Sequence, residues 1–143
     1  MSEFHFSSDP DLIDRERVHR WLSEESYWAR GRTRATQDAA IDASRNFGVY
    51  RTETGAQVAY ARVVTDGVTF AWLCDVFVDA GERGQGLGKM LVRGVTGHLA
   101  PLGLRRTLLA TADAHGLYAA YGFAPLAAPE QMMAIAGGST RRA

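Results

Sequence analysis

Between residues 68 and 99 the apolar residues change period, and three glycines mark the changeover. "VTFAWLCDVFV" (68–78) is almost continuously apolar, the pattern of a strand covered on both faces. In "LGKMLVRGVTGHL" (87–99), Leu87, Met90, Leu91, Val95, His98 and Leu99 fall on one face at three- and four-residue spacing, which predicts an amphipathic helix. Pro101 and Gly103 close it, and "RRTLLAT" (105–111) reads as a further buried strand. A helix joining two buried strands implies a right-handed crossover, and hence parallel pairing of those strands.

The flanking segments extend the pattern. "FHFSS" (4–8) alternates like a short strand, and Asp9 and Pro10 then offer a helix cap and first helical residue for "SDPDLIDRERVHRWLSEE" (8–25). Leu12, Ile13, Val18, Trp21 and Leu22 give that helix its apolar face. "SYWARGRTRATQD" (26–38) reads as a loop before a second helix in "DAAIDASRN" (38–46). From Phe47 the period is two: "FGVYRT" and "AQVAYARVV" form a hairpin, and Asp66-Gly67 turns the chain into the apolar run. "AHGLYAAY" (114–121) predicts a short helix, "GFAPLA" (122–127) a turn into a last extended segment, and "GGSTRRA" a frayed end. The expected fold class is mixed α/β in one domain, residues 1–143, with helices over about 10–46, a core over about 47–130 and a tail from about 136.

Sixteen basic and sixteen acidic residues give no net charge, so nothing draws the chain as a whole to nucleic acid or an anionic membrane. Any anion has to be held locally. No window approaches the ~20 apolar residues of a membrane span, and the N-terminus lacks a secretory pattern, so the expected location is cytoplasmic. Cys74 is the sole cysteine, which excludes a disulfide framework and a multi-cysteine zinc site; it reads as a core thiol rather than a nucleophile. His5, His19 and His98 lack ligand-like spacing, and no metal is expected.

The glycines between strand and helix, "RGQGLGK", admit three phosphate-binding readings. A Walker loop requires a glycine five residues before Gly88-Lys89, where Arg83 stands, and a Ser or Thr at Met90. A dinucleotide fingerprint starting at Gly84 and Gly86 requires a third glycine at Lys89. The remaining pattern, Arg83-x-x-Gly86-x-Gly88, resembles the R/Q-x-x-G-x-G/A signature of the GNAT superfamily of acyl-coenzyme A-dependent N-acetyltransferases. The first backbone N–H groups of a helix lack intrahelical partners and sit at the positive end of its dipole. Glycines let a pyrophosphate approach them closely. A turn with no ligand is the competing reading of the hexamer alone.

A second segment supports the resemblance. "ADAHGLYAAYGF" (112–123) is similar to the superfamily's A-x-x-x-Y-x-x-x-G-F, with Ala114, Tyr118, Gly122 and Phe123 in place. The resemblance implies a mostly antiparallel sheet, splayed between the strand before the glycine turn and the strand after its helix, with the pantetheine of acetyl-CoA lying in the gap like an added strand. It implies main-chain contacts from Val76, Phe77 and Val78, one of which polarises the thioester carbonyl, and N–H groups for the pyrophosphate from Arg83, Gly84, Gln85, Gly86, Leu87, Gly88 and Lys89.

It further implies that Tyr118 protonates the departing thiolate, the alternative being a packing tyrosine; Tyr121 reads as packing. Some relatives carry a glutamate base where this chain has Trp72. Asp75, an acid inside an apolar run, is the nearest replacement as base or ammonium anchor, against a purely structural hydrogen-bonding role. Asp113 and His115 suit proton transfer or helix capping equally.

The acceptor side falls on "WLSEESYWARGR", where Trp21, Glu24, Glu25, Tyr27 and Trp28 suit a cationic amine of a small molecule or peptide, the alternative being a solvated helix end with two packing tryptophans. Arg30, Arg32 and Arg34 suit instead an acidic acceptor or the 3′-phosphate of CoA. A homodimer agrees with the resemblance, although no residue compels one. Two further readings are an acyl-CoA sensor with weak turnover and a plain interaction domain.

Overall fold

Five strands lie side by side in their order along the chain, with helices on both faces. The computed structural model describes residues 2–137. The strands are β1 (Phe4–Ser7), β2 (Arg45–Arg51), β3 (Gln57–Thr65), β4 (Phe70–Val78) and β5 (Arg106–Leu108). Neighbours run antiparallel through β4, and β4 pairs β5 in parallel. The helices are α1 (Arg15–Arg20, continued by a wider π turn at Trp21–Glu25), α2 (Arg34–Asp42), α3 (Leu87–Leu99) and α4 (His115–Ala119). The mixed, mostly antiparallel sheet and the parallel crossover through α3 agree with the sequence reading.

The caps explain where the helices begin. Asp9 caps only the single tight turn Pro10–Leu12, accepting from the Asp11 N–H at 2.9 Å, and Leu12 is exposed. The helix proper starts beyond it, where Asp14 accepts from the Arg17 N–H at 3.1 Å. α2 opens at Arg34 rather than at Asp38, because Thr33 Oγ1 accepts from the Thr36 N–H at 3.1 Å. The turn into β4 is organised by Asp66. Its carboxylate accepts from the N–H groups of Val68 and Thr69 and from the Thr69 hydroxyl, which holds its pKa well below the usual carboxylate range.

Two apolar cores flank the sheet. On one face Leu87, Leu91, Val92, Val95 and Leu99 of α3 pack on Phe47, Val49, Val63 and Leu73. His98 is half-buried there, edge-on to Phe47 at 5.0 Å between ring centroids. On the other face Val18, Trp21, Leu22 and Ile41 pack on Tyr60 and Phe77.

Two expectations fail after α3. β5 spans only three residues of the expected 105–111 and is not fully buried, because β4 turns away beyond Trp72 and leaves residues 109–111 without a partner. No sixth strand forms at 122–127 among the described residues. Gly122 turns the chain at φ 97, and Pro125, which lacks an N–H, interrupts any ladder along the short β5 edge. The expected frayed end lies largely outside the described residues.

Candidate active site

The site begins with one extra residue. Along the β3–β4 ladder Arg62 pairs with Cys74 and Tyr60 with Phe77, so Ala61 faces both Asp75 and Val76. Asp75 absorbs the excess at φ 54, in the left-handed region where aspartate is better tolerated than most residues. The bulge inverts the phase of the strand. Ala71 and Leu73 before it, and Val76 and Val78 after it, all belong to the core beneath α3, while Phe77 turns to the opposite core and stacks on Trp21. The second face of the apolar run is thus divided: Phe77 lies under the Trp21–Glu25 turn, while Trp72 and Cys74 line a cleft.

β4 and β5 share the pairs Phe70–Arg106, Ala71–Thr107 and Trp72–Leu108 and then part. Between Trp72–Val76 and residues 109–114 lies a cavity of about 620 Å³, walled on its other side by Tyr27, Trp28 and Tyr118. The splay expected from the resemblance is thus present.

Asp75 is 2% exposed and fully engaged. Arg32 Nη1 donates to Oδ2 at 2.8 Å and Nη2 to Oδ1 at 3.4 Å; Arg62 Nε donates to Oδ2 at 2.9 Å, and Trp28 Nε1 to Oδ1 at 3.2 Å. Burial pushes the carboxyl pKa up, but the Arg32 hydrogen bonds and the charges of Arg62 and Arg32 overcome this and hold it below the ordinary value. Arg62 Nη1 also donates to Ser44 Oγ at 3.1 Å, and Arg32 Nη1 to Gln37 Oε1 at 2.9 Å. Two guanidiniums and one carboxylate leave a single positive charge on this wall of the cavity. Asp75 signalled itself as an acid in an apolar run; its partners, distant in sequence, carried no such signal.

Tyr118 is 8% exposed and stands edge-on to Phe123 at 5.9 Å between centroids. Its hydroxyl has no protein partner among the described residues, and the ring lines the cleft. Burial, with smaller contributions from Asp113 and Tyr27, pushes the phenol up to about 12. Asp113 lies at the same cavity and is exposed. His115 lines a separate hollow behind Tyr118, so the structure does not bring Asp113 and His115 together in the cleft. Neither caps α4, whose N-cap is Ala114 and which has no side-chain cap; Thr111 Oγ1 instead accepts from the Ala114 N–H at 3.0 Å.

The acceptor-side group divides likewise. Tyr27 and Trp28 stand edge to face at 5.0 Å on the cavity wall, whereas Trp21 is buried in the core and Glu24 is exposed away from the cavity.

The glycine turn sits at the far end of β4. Gly84 and Gly86 adopt φ 89 and 78, and Gly86 is the N-cap of α3, with no side chain covering the N–H groups of its first turn. Arg83 and Gln85 brace the turn. Arg83 Nε donates to the Val78 carbonyl at 3.1 Å and its guanidinium lies over the Phe77 ring at 5.2 Å. Gln85 Nε2 donates to Glu82 at 2.8 Å, and Glu82 is paired with Arg51 of β2 at 2.6 Å. Lys89 is exposed. Leu117 of α4 lies 3.6 Å from where a Cβ on Gly88 would stand, so the two motifs meet in space.

A sequence model of the Acetyltransferase (GNAT) family matches residues 15–123. The crystal structure of a protein from Xanthomonas campestris pv. campestris, described as a GNAT-family acetyltransferase, superposes with a TM-score of 0.88 at 46% identity, covering 95% of this chain and 94% of that one. FG08082 of Gibberella zeae, named as an acetyltransferase, is 31% identical over 136 residues, 81% of this chain and 76% of the relative. Rv2747 of Mycobacterium tuberculosis, crystallised with CoA, shares the fold with a TM-score of 0.70 at 15% identity, over 85% of this chain and 72% of that one. A bulged strand, a cleft beside it and a glycine-opened helix thus coincide with a match over most of the chain, which belongs to the GNAT family of acetyltransferases, enzymes of acyl transfer from acyl-CoA.

Proposed function

We propose that the protein transfers an acetyl group from acetyl-CoA to a primary amine by direct attack in a ternary complex, with Tyr118 protonating the departing thiolate. The observation that carries this reading is Tyr118: a buried ring that lines the cleft where β4 leaves β5, with a hydroxyl that has no protein partner among the described residues and is not sealed from solvent. The cleft suits acetyl-CoA, as does the bare N-terminus of α3, whose first N–H groups no side chain caps and where a Cβ on Gly84 or Gly86 would meet nothing within 4 Å. Acetyl-CoA supplies the thioester whose carbonyl carbon is attacked.

The chain's own residues do the rest. Main-chain groups of Val76, Phe77 and Val78, freed from β5, line the pantetheine, and an N–H just after the bulge polarises the thioester carbonyl. The N–H groups of residues 83–89 receive the pyrophosphate. Residues 10–46 form the acceptor side and 47–130 the CoA-binding core.

Protons balance across the reaction: an acceptor that arrives as an ammonium first gives one proton to solvent, and the neutral amine then loses one on becoming an amide while the thiolate gains one. A phenol pushed up to about 12 stays protonated at neutral pH, so Tyr118 enters the reaction as a donor. Asp75, held by two arginines, is a poor proton acceptor and serves instead to fix Arg32 and Arg62. Asp113 is the acid at the cavity with no arginine partner among the described residues, and it takes the ammonium side of the acceptor.

Thiol release from acetyl-CoA across an amine panel, run beside thermal stabilisation by acetyl-CoA, tests the assignment. Stabilisation without amine-dependent release would favour a sensor; neither signal would reject both CoA readings. A ligand at 100 times its Kd stabilises by about 2.7 kcal/mol.

A further inference from the structure

We infer that the acceptor amine carries a carboxylate, which docks on Arg62 and Arg32 at the wall of the cleft while the amine faces Asp113 and Tyr118. The inference rests on the acetyl-transfer reading above.

Three features of the cavity lead to it. Its wall holds Arg32, Arg62 and Asp75, with side chains 20%, 14% and 2% exposed, and the sum of their charges is one positive charge on a largely buried wall. Such an excess repels a simple cation and is relieved by an anion. Arg62 also has a donor to spare. Its Nε is spent on Asp75 and its Nη1 on Ser44, whereas Nη2 has no protein partner among the described residues and is not sealed from solvent. A guanidinium edge matches a carboxylate in geometry and in charge-assisted hydrogen bonding. Finally, the unpaired acid of the cavity, Asp113, is exposed at its mouth. A positive wall and a negative mouth in one cavity fit a molecule with an anionic and a cationic end. Tyr27, Trp28 and Trp72 add aromatic walls to a space of about 620 Å³, which admits a small acceptor beside the acyl end of the donor.

The test compares matched amines with and without the carboxylate: phenylalanine with phenethylamine, tryptophan with tryptamine, β-alanine with ethylamine. Each is assayed for thiol release from acetyl-CoA, and each for added thermal stabilisation of the CoA-bound protein. The carboxylate member of at least one pair is expected to have a kcat/KM at least tenfold higher than its partner. Arg62→Gln is expected to collapse that ratio mainly through KM, and Arg62→Lys to restore part of it. Should Arg62→Gln fail to fold, the wild-type ratio still decides. Acetylation of the decarboxylated members as fast as, or faster than, their partners overturns the proposal. So does stabilisation by acetyl-CoA with neither turnover nor added stabilisation by any carboxylate member. An absence of both acetyl-CoA stabilisation and thiol release marks the failure of the transferase reading itself.

Discussion

Arg62 Nε lies 2.9 Å from Asp75 Oδ2, at the point where β4 carries one residue more than β3. The pair links the irregularity of the backbone to the charge of the cleft: the bulge presents Asp75, and Asp75 fixes the arginines that line the cavity. Asp75→Asn strips a carboxylate from between two guanidiniums and leaves them uncompensated. The expected cost is about 3–5 kcal/mol of stability, read by chemical denaturation at neutral pH.

The pH dependence of the same group has a definite sign. The folded pKa of Asp75 lies below its unfolded value, so its contribution is complete above the unfolded pKa of about 3.9 and declines as pH falls below it toward the folded value. The stability difference between wild type and Asp75→Asn is therefore expected to shrink on acidification below about pH 4. A difference that stays constant from neutral pH down to acid unfolding would show that Asp75 is not charged in the folded protein.

Tyr118→Phe removes one oxygen and leaves the ring against Phe123. The expected result is a fall in kcat of about 10²–10⁴ with stabilisation by acetyl-CoA unchanged. An unaltered kcat would assign Tyr118 to packing and require another proton donor.

Gly86, the N-cap of α3, and Gly97 within it separate backbone strain from crowding, because a Cβ at either meets nothing within 4 Å. Gly86, at φ 78, is in the left-handed region, so Gly86→Ala is expected to destabilise by about 1–2 kcal/mol. Gly97 lies within the helix with no positive φ, and Gly97→Ala is expected to stabilise by about 0.5–1 kcal/mol. Denaturant midpoints of the two variants check the contrast. Equal effects would remove the backbone argument.

Cys74 lines the cleft beside Asp75. Burial pushes its thiol up to about 11, with Arg62 pulling the other way. At neutral pH it is expected to react with iodoacetamide more slowly than a free thiol, and more slowly again with acetyl-CoA present, as followed by mass spectrometry. Faster alkylation in the presence of acetyl-CoA would mean that the ligand lies elsewhere.

Local patterns in the chain were legible where a residue's neighbours in sequence are also its neighbours in space. The strand–glycine–helix unit, the β2–β3–β4 meander and the α3 crossover follow from period and turn chemistry. Helix starts are less legible, because residues of similar capping strength compete: Asp9 caps only a single turn and Asp14 opens α1, while Thr33 opens α2 ahead of the expected segment. The site was half visible. Tyr118 and the glycines sit in contiguous motifs, but Arg32 and Arg62 join Asp75 only through a bulge and a loop, and nothing in their flanking residues marks the meeting. Trp21 and Glu24 neighbour Tyr27 and Trp28 in sequence but not in the site: the π turn at Trp21–Glu25 sends the first into the core and the second to the surface.

The brevity of β5 also bears on how the cleft yields. Three residue pairs, and the Arg105 N–H donated to the Thr69 carbonyl at 3.0 Å just before them, stitch it to β4. Each backbone hydrogen bond contributes about 0.5–1.5 kcal/mol net, so parting the strands by one more rung costs little beside the packing of α3 on the sheet. The cleft therefore has a stiff floor and a compliant lip: the bulge at Asp75 sets where it opens, and the last rung at Trp72 and Leu108 sets how far it spreads.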